Sequence, residues 1–158
     1  MGNGKIFIQI ASFRDPELNL TIKDCLEKHV RINRDQYNSA LTDAITAGNL
    51  TVLKFFIEDP FINNNLLYKG QVSFETQKEE LFNLAYYYKR KEIVAYLILE
   101  HNVELLSKVK EELKKPQKAP DKEEFRQEVL FLIENKYLNY MLEMKLENKE
   151  EKRNKPKI

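Results

Sequence analysis

The residues that could act as nucleophiles, bases or metal ligands are few and scattered along this 158-residue chain. There is one cysteine, Cys25, and there are two histidines, His29 and His101. A single thiol excludes an internal disulfide and a metal site built from thiolates, and it favours a reducing compartment. The two histidines lie far apart in the sequence and in different predicted helices. We therefore interpret both as structural or solvated, and we expect no catalytic residues, no metal and no cofactor.

A more specific string, Ser12-Phe13-Arg14-Asp15-Pro16, lies near the N-terminus. It begins at the end of residues 5–12 (KIFIQIAS), whose alternation and β-branched and aromatic residues predict a strand. Asp15 and Pro16 suit the cap and the first turn of a helix that continues to about Arg31. A salt bridge at this helix entry is the simplest role for Arg14 and Asp15.

The string from Ile10 to Leu18 (IASFRDPEL) resembles the start of cytoplasmic N-acetylglucosaminyltransferases that modify hydroxyproline. The resemblance covers residues 5–28. It implies that Ser12, Arg14 and Asp15 would lie near the nucleotide part of a nucleotide-sugar donor. It defines our alternative function, a nucleotide-sugar-binding or glycosyltransferase-related protein.

The remainder of the chain lacks what such a transferase requires. No Asp-x-Asp occurs in the sequence, so the usual carboxylate pair that holds a divalent metal on a diphosphate is missing. No glycine-rich phosphate loop replaces it, and one strand and one helix cannot bury a nucleotide. We predict that the protein is not an enzyme. We interpret residues 1–35 as a strand-helix cap, a transferase-like remnant that covers the repeats after it.

The composition favours helices and provides no long-range electrostatic field. Lys+Arg 26 against Asp+Glu 25 leave a formal net charge of +1, and the chain has only four glycines and five prolines. Such balance does not attract nucleic acid or an anionic membrane. No apolar run approaches the roughly 20 residues of a membrane span, and residues 1–6 lack the apolar region of a signal peptide. We expect a cytoplasmic monomer that contacts neither membrane nor nucleic acid.

An internal repeat is the strongest structural signal. Residues 39–58 (SALTDAITAGNLTVLKFFIE) align with the stretch that starts at Glu80, at a constant offset of 41 residues. The aligned pairs are Leu41 with Phe82, Ala44 with Ala85, Val52 with Ile93, Leu53 with Val94, Phe56 with Leu97, and Ile57 with Ile98. Each copy therefore predicts two short helices with facing apolar sides.

Three positions in the copies have a clear physical role. Ala44 and Ala85 are small where two helices would cross at close range. Gly48 follows the first helix, where a left-handed residue ends a helix at little cost. Lys89 stands at the position of this glycine in the second copy, which is a departure from the pattern.

This pattern resembles the ankyrin repeat family over residues 36–103. The offset exceeds the usual repeat of about 33 residues, so a longer loop at residues 66–76 would hold the excess. The entry motif Thr-Pro-Leu-His is only partly present, in Ser39-Ala40-Leu41-Thr42. The resemblance implies a mainly α fold, an ankyrin-like helix-turn-helix repeat array with one N-terminal strand and flanking capping helices. A generic array of helical hairpins is the alternative.

After the cap at residues 1–35, we divide the chain into ankyrin-like repeats at 36–115, a C-terminal helix at 121–146 and a charged, frayed and solvated tail at 147–158. Asp121 and Glu124 form an acidic capping box at the start of the C-terminal helix. We interpret the apolar stripe of this helix as core; it comprises Phe125, Val129, Leu132, Ile133, Tyr137, Tyr140, Met141 and Met144.

A candidate partner surface follows from the ankyrin resemblance. It places Tyr87 and Tyr88 at variable positions of the inner helix, and Thr46 and Ala47 at the same positions of the first copy. Tyrosines bring large contact area and a polar group, which suits interface anchors. With Arg90, these residues form our predicted partner-binding site on the concave inner-helix face. We accordingly expect a non-catalytic protein–protein interaction module, acting in the host cytosol if it is a secreted effector.

Overall fold

The computed structural model describes residues 34–58 and 74–154, and this part of the chain is mainly helical and contains no strand. The helices are α1 (Arg34–Ala47), α2 (Leu50–Glu58), α3 (Phe74–Tyr87), α4 (Lys91–His101), α5 (Ser107–Lys114) and α6 (Pro120–Asn154), with a 3₁₀ turn at Val103–Leu105. The prediction of a mainly α fold is confirmed here. The predicted N-terminal strand, its helix and residues 66–73 of the predicted loop lie outside the described residues.

The chain divides into two compact units, with the boundary between Val109 and Lys110. The first unit contains α1 to α4 and the 3₁₀ turn. Its boundary lies inside α5 rather than at residue 115, where we expected the repeats to end. The helix α5 begins only at Ser107, because Leu106 is extended (φ −72°, ψ 136°) after the 3₁₀ turn.

In the first unit, α1 packs on α2, α3 packs on α4, and α1 packs on α3. The aligned apolar residues belong to the core of both pairs, except Ile57, which is only partly buried. None of the following is more than 1% exposed: Leu41, Ala44, Val52, Leu53, Phe56, Phe82, Ala85, Ile93, Val94 and Leu97. The predicted pairing of apolar positions in the two copies is therefore confirmed for these residues.

Both inner helices begin earlier than the apolar pattern indicates. The α1 helix includes Tyr37, which is 1% exposed and donates a hydrogen bond to the Phe56 carbonyl at 3.3 Å. The α3 helix begins at Phe74, inside the predicted loop, and its ring lies 4.7 Å from the His101 ring, edge to face. Each extra turn contains one buried aromatic residue. A single apolar residue does not produce a helical period in the sequence.

In the second unit, α6 continues through Asn154, so the prediction of a frayed tail is wrong for residues 147–154, which are helical and exposed. Glutamate, lysine and arginine favour helices, and the basic last turn at Lys152 and Arg153 suits the helix dipole.

At the start of α6, the Glu123 carboxylate accepts hydrogen bonds from the Gln117 N–H at 2.7 Å and from Arg126. The Arg126 hydrogen bond, with smaller help from Gln117 and Gln127, lowers the pKa of Glu123 to about 2.

The interpretation of the α6 stripe as core is correct only near its start. Phe125 and Val129 are buried, whereas Tyr137, Tyr140, Met141 and Met144 are 41% to 60% exposed. Periodicity alone cannot distinguish a stripe that faces the core from one that faces solvent. None of the helices in the two described ranges is both long and apolar enough to span a bilayer.

Candidate protein-binding site

The turn between α1 and α2 uses residues suited to it. Gly48 has a φ of 71°, as predicted, and its N–H donates to the Ile45 carbonyl at 3.0 Å. The N–H of Asn49 donates to the Ala44 carbonyl at 2.7 Å. The Asn49 side-chain oxygen then accepts the Val52 N–H at 3.1 Å, which caps the start of α2.

The turn between α3 and α4 repeats this backbone geometry at the same offset. Lys89 has a φ of 53°, and its N–H donates to the Tyr86 carbonyl at 3.1 Å. The N–H of Arg90 donates to the Ala85 carbonyl at 2.9 Å. A lysine thus adopts the left-handed conformation that glycine adopts in the first turn, although this conformation costs a residue with a Cβ roughly 1–2 kcal/mol.

Arg90 occupies the position of Asn49 but has a different role. It provides no side-chain cap for α4. Its guanidinium instead donates to the Thr46 carbonyl in the last turn of α1. The last four carbonyls of a helix lack intrahelical donors, and a cation there is favoured by the helix dipole. Arg90 therefore links the second turn to the end of the first inner helix.

The predicted site residues lie together at one edge of the first unit. Thr46 and Ala47 end α1, and Tyr87 ends α3 with Tyr88 directly after it. The helices α1 and α3 pack on each other, and Arg90 joins their two ends. We name these five residues the tyrosine edge. Thr46 and Ala47 are partly buried, and the Thr46 hydroxyl donates to the Thr42 carbonyl at 2.7 Å.

The three consecutive tyrosines point in different directions. Tyr86 is partly buried and its ring stacks on Phe82, with centroids 5.8 Å apart. Tyr87 is 67% exposed and Tyr88 is 42% exposed, and their rings meet edge to face at 5.1 Å. Neither Tyr87 nor Tyr88 belongs to the core. The other predicted residues, Ser12, Arg14 and Asp15, lie outside the described residues.

The structure also contains a polar cluster that the sequence did not indicate. The Tyr96 hydroxyl donates to Glu58 Oε1 at 2.7 Å, and His101 Nε2 lies 2.9 Å from the same hydroxyl. Since the hydroxyl proton is directed to Glu58, His101 Nε2 must be the donor to the Tyr96 oxygen. Lys54 Nζ lies 5.1 Å from the centre of the Tyr96 ring. The cluster joins α2 to α4.

The electrostatics of this cluster suit packing rather than proton transfer. Burial, with a hydrogen bond to Glu58, raises the pKa of Tyr96 far above its usual value. Burial, with a smaller effect of Lys78, lowers the pKa of His101. Both groups are thereby held neutral, and their hydrogen bonds connect α2 to α4. Tyr96 is aligned with Phe55, so the repeat pattern predicted only an apolar residue and missed the hydroxyl.

Within the two described ranges, no three side chains of His, Cys, Asp or Glu are grouped so that they could hold a metal ion. Comparison with models of known families, with curated proteins and with solved structures gives no match for this chain. The function proposed below therefore depends on the contacts and exposure of the chain's own residues.

Proposed function

We propose that this chain is a non-catalytic interaction module that binds a protein partner through the tyrosine edge. The observation that carries the proposal is the pair of exposed rings of Tyr87 and Tyr88, which touch each other at the end of α3. Tyr87 is the last residue of α3, and Phe82 and Ala85 of the same helix are buried in the core.

We also propose that the two helix pairs are ankyrin-like repeats. Three observations support this assignment. The turns have the same hydrogen bonds at a constant offset, Ala44 and Ala85 are fully buried at equivalent positions, and the inner helices pack on each other. The offset of 41 residues is longer than the family's usual repeat. A generic pair of helical hairpins would present the same edge.

Tyr87 and Tyr88 suit a role as anchors because of their large contact area and their limited conformational freedom. A tyrosine provides a large apolar surface and a hydroxyl, and it has few rotamers to lose on binding. The edge-to-face contact at 5.1 Å limits the rotamers of both rings before a partner arrives. Preorganisation of this kind reduces the entropic cost of association. The expected partner surface is a pocket or groove wide enough for two adjacent rings.

Charged residues next to the rings suggest the chemistry of the partner's rim. Lys89 and Lys91 are exposed and lie on either side of Arg90. Cations at the rim of an interface increase the association rate with an acidic partner more than they increase affinity. We therefore expect an apolar pocket bordered by carboxylates, and a binding rate that falls as salt is added.

The test is a comparison of protein capture by matched variants from a native or host lysate. The double variant Tyr87→Ala and Tyr88→Ala should lose proteins that the parent retains. The control is Leu99→Ala with Leu105→Ala, which truncates two residues of similar exposure in the same unit. Partners retained by the control and lost by the tyrosine variant support the proposal. Identical capture by parent and tyrosine variant contradicts it.

A further inference from the structure

The second half of α6 has exposed apolar side chains from Tyr137 to Leu146. Every residue from Tyr137 to Asn154 is exposed, which is half of a helix about 50 Å long. An isolated helix is only marginally stable in water, and an exposed apolar face of this extent indicates an interaction surface. The exposed fractions are 41% for Tyr137, 60% for Tyr140, 57% for Met141 and 45% for Met144.

The spacing of these residues is that of a coiled-coil seam. Leu130, Ile133, Tyr137, Tyr140 and Met144 follow one another at intervals of three and four residues. Alternating intervals of three and four place residues in one stripe that packs against a second helix. Leu130 and Ile133 are partly buried, and the remaining three are exposed.

We propose that α6 pairs with α6 of a second copy of the chain as an antiparallel coiled coil. In this arrangement Tyr137 packs against Tyr140 of the second copy, and Ile133 packs against Met144. An interface between identical chains must be self-complementary, so each contact occurs twice. This self-association would replace the monomer that the sequence led us to expect.

The charges beside the seam favour the antiparallel orientation. Lys136 and Glu143 lie on the same side of the stripe, one heptad apart. In antiparallel pairing Lys136 lies opposite Glu143 of the second copy, and the symmetry repeats this pair. In parallel pairing Lys136 would lie opposite Met141, and Glu143 opposite Asn148. Only the antiparallel arrangement therefore brings opposite charges together.

The size of the seam predicts a weak dimer. Tyr137, Tyr140 and Met144 in the seam, and Met141 beside it, are each about half exposed and offer on the order of 100 Å² apiece. Two copies would then bury roughly 800 Å² from these residues, which is below the range of stable specific interfaces and within that of weak, transient ones. A membrane would be a poorer occupant, because surface-bound helices have a predominantly basic polar face. The polar positions of α6 alternate in sign, as in Glu143 and Lys145.

Sedimentation velocity on the full chain tests this proposal. A concentration series up to about 100 μM should show a rising fraction of dimer. Tyr140→Glu, which places a charge in the seam, should leave only monomer. Leu142→Glu is the matched control, because Leu142 is 49% exposed but lies outside the stripe, and this variant should still dimerise. A parent chain that stays monomeric throughout the series overturns the proposal.

A charge exchange tests the orientation. Lys136→Glu should weaken dimerisation about tenfold, because two attractive pairs become two repulsive ones. Glu143→Lys should have the same effect, and the double variant should restore the parent's dissociation constant. A dimer unaffected by Lys136→Glu would overturn the antiparallel arrangement.

A vesicle-flotation experiment tests the competing occupant. A chain that floats with phosphatidylcholine–phosphatidylserine vesicles and never dimerises would overturn the proposal and indicate that α6 binds a lipid surface. These readouts do not involve the tyrosine edge.

Discussion

The turns of the two helix pairs have the same backbone hydrogen bonds but are built from different residues. In the first turn, Gly48 adopts a left-handed conformation and Asn49 caps the following helix. In the second turn, Lys89 adopts that conformation and Arg90 leaves its helix without a side-chain cap. The conformational preferences of Gly48 and Asn49 themselves account for the first turn. The second is maintained by packing, because Ala85 and Phe82 are buried where Ala44 and Leu41 are buried in the first pair.

The two helix pairs also differ in the side chains at the ends of their inner helices. The first pair has Thr46 and Ala47 at the end of its inner helix, and the second pair has Tyr87 and Tyr88 there. Small residues at this edge add little contact area, whereas two rings add a large one. The second turn therefore departs from good local chemistry at the same place where its helix presents aromatic rings. Sites that depart from local rules are often functional sites, and the first three predictions below test this difference.

The largest expected effect is on binding. Tyr87→Ala with Tyr88→Ala should weaken partner binding by about 2 kcal/mol or more, since aromatic anchors carry much of the energy of an interface. Thr46→Ala, at the position equivalent to Tyr87, should change affinity by less than about 0.5 kcal/mol. Circular dichroism should show an unchanged helical signal for both variants. A collapse of that signal in the tyrosine variant would place the rings in the core and remove our choice of binding face.

Next in size is the effect of Gly48→Val on stability. A β-branched residue disfavours a φ of 71°, so the variant should lose about 1–2 kcal/mol or more in urea unfolding. Lys89→Val should lose less, because Lys89 already has a Cβ in this conformation. Equal losses at the two positions would mean that the turns do not differ as described.

A stabilising change should come from the second turn. Lys89→Gly relieves the left-handed strain and should raise the free energy of unfolding by roughly 0.5–1 kcal/mol, after the entropic cost of glycine in the unfolded chain. Lys91→Gly, in the first turn of α4, is the matched control and should lower it by a similar amount. If Lys89→Gly destabilises the protein, the Lys89 side chain stabilises this turn by more than the left-handed conformation costs.

The smallest effect is that of pH on the link between α2 and α4. Burial lowers the pKa of His101, so the folded state binds a proton less readily than the unfolded state. The contribution of His101 is present above the unfolded pKa of about 6.5 and decreases as pH falls below it. The melting temperature should decline slightly between neutral and mildly acidic pH, and His101→Gln should reduce that decline. An identical pH profile for parent and variant would contradict this assignment.

Much of the first unit could be predicted from the chain alone. The apolar spacing and the alanine positions predicted two helix pairs, and Gly48 predicted a left-handed turn, because these features depend on side-chain size and on backbone preferences of single residues. The tyrosines at the end of α3 were also recognisable as candidate anchors. Their exposure of 67% and 42% required the structure.

What the sequence determined by itself is therefore the helical period, the small residues at the helix crossings and the glycine turn. Tertiary structure decided the conformation of Lys89, which packing imposes against the preference of lysine. It also decided the role of Arg90, whose partner, the Thr46 carbonyl, lies 44 residues away. It decided as well that the stripe of α6 is exposed to solvent from Tyr137 onward. A periodic pattern specifies which residues share a face, but what covers that face depends on contacts that are distant in the chain.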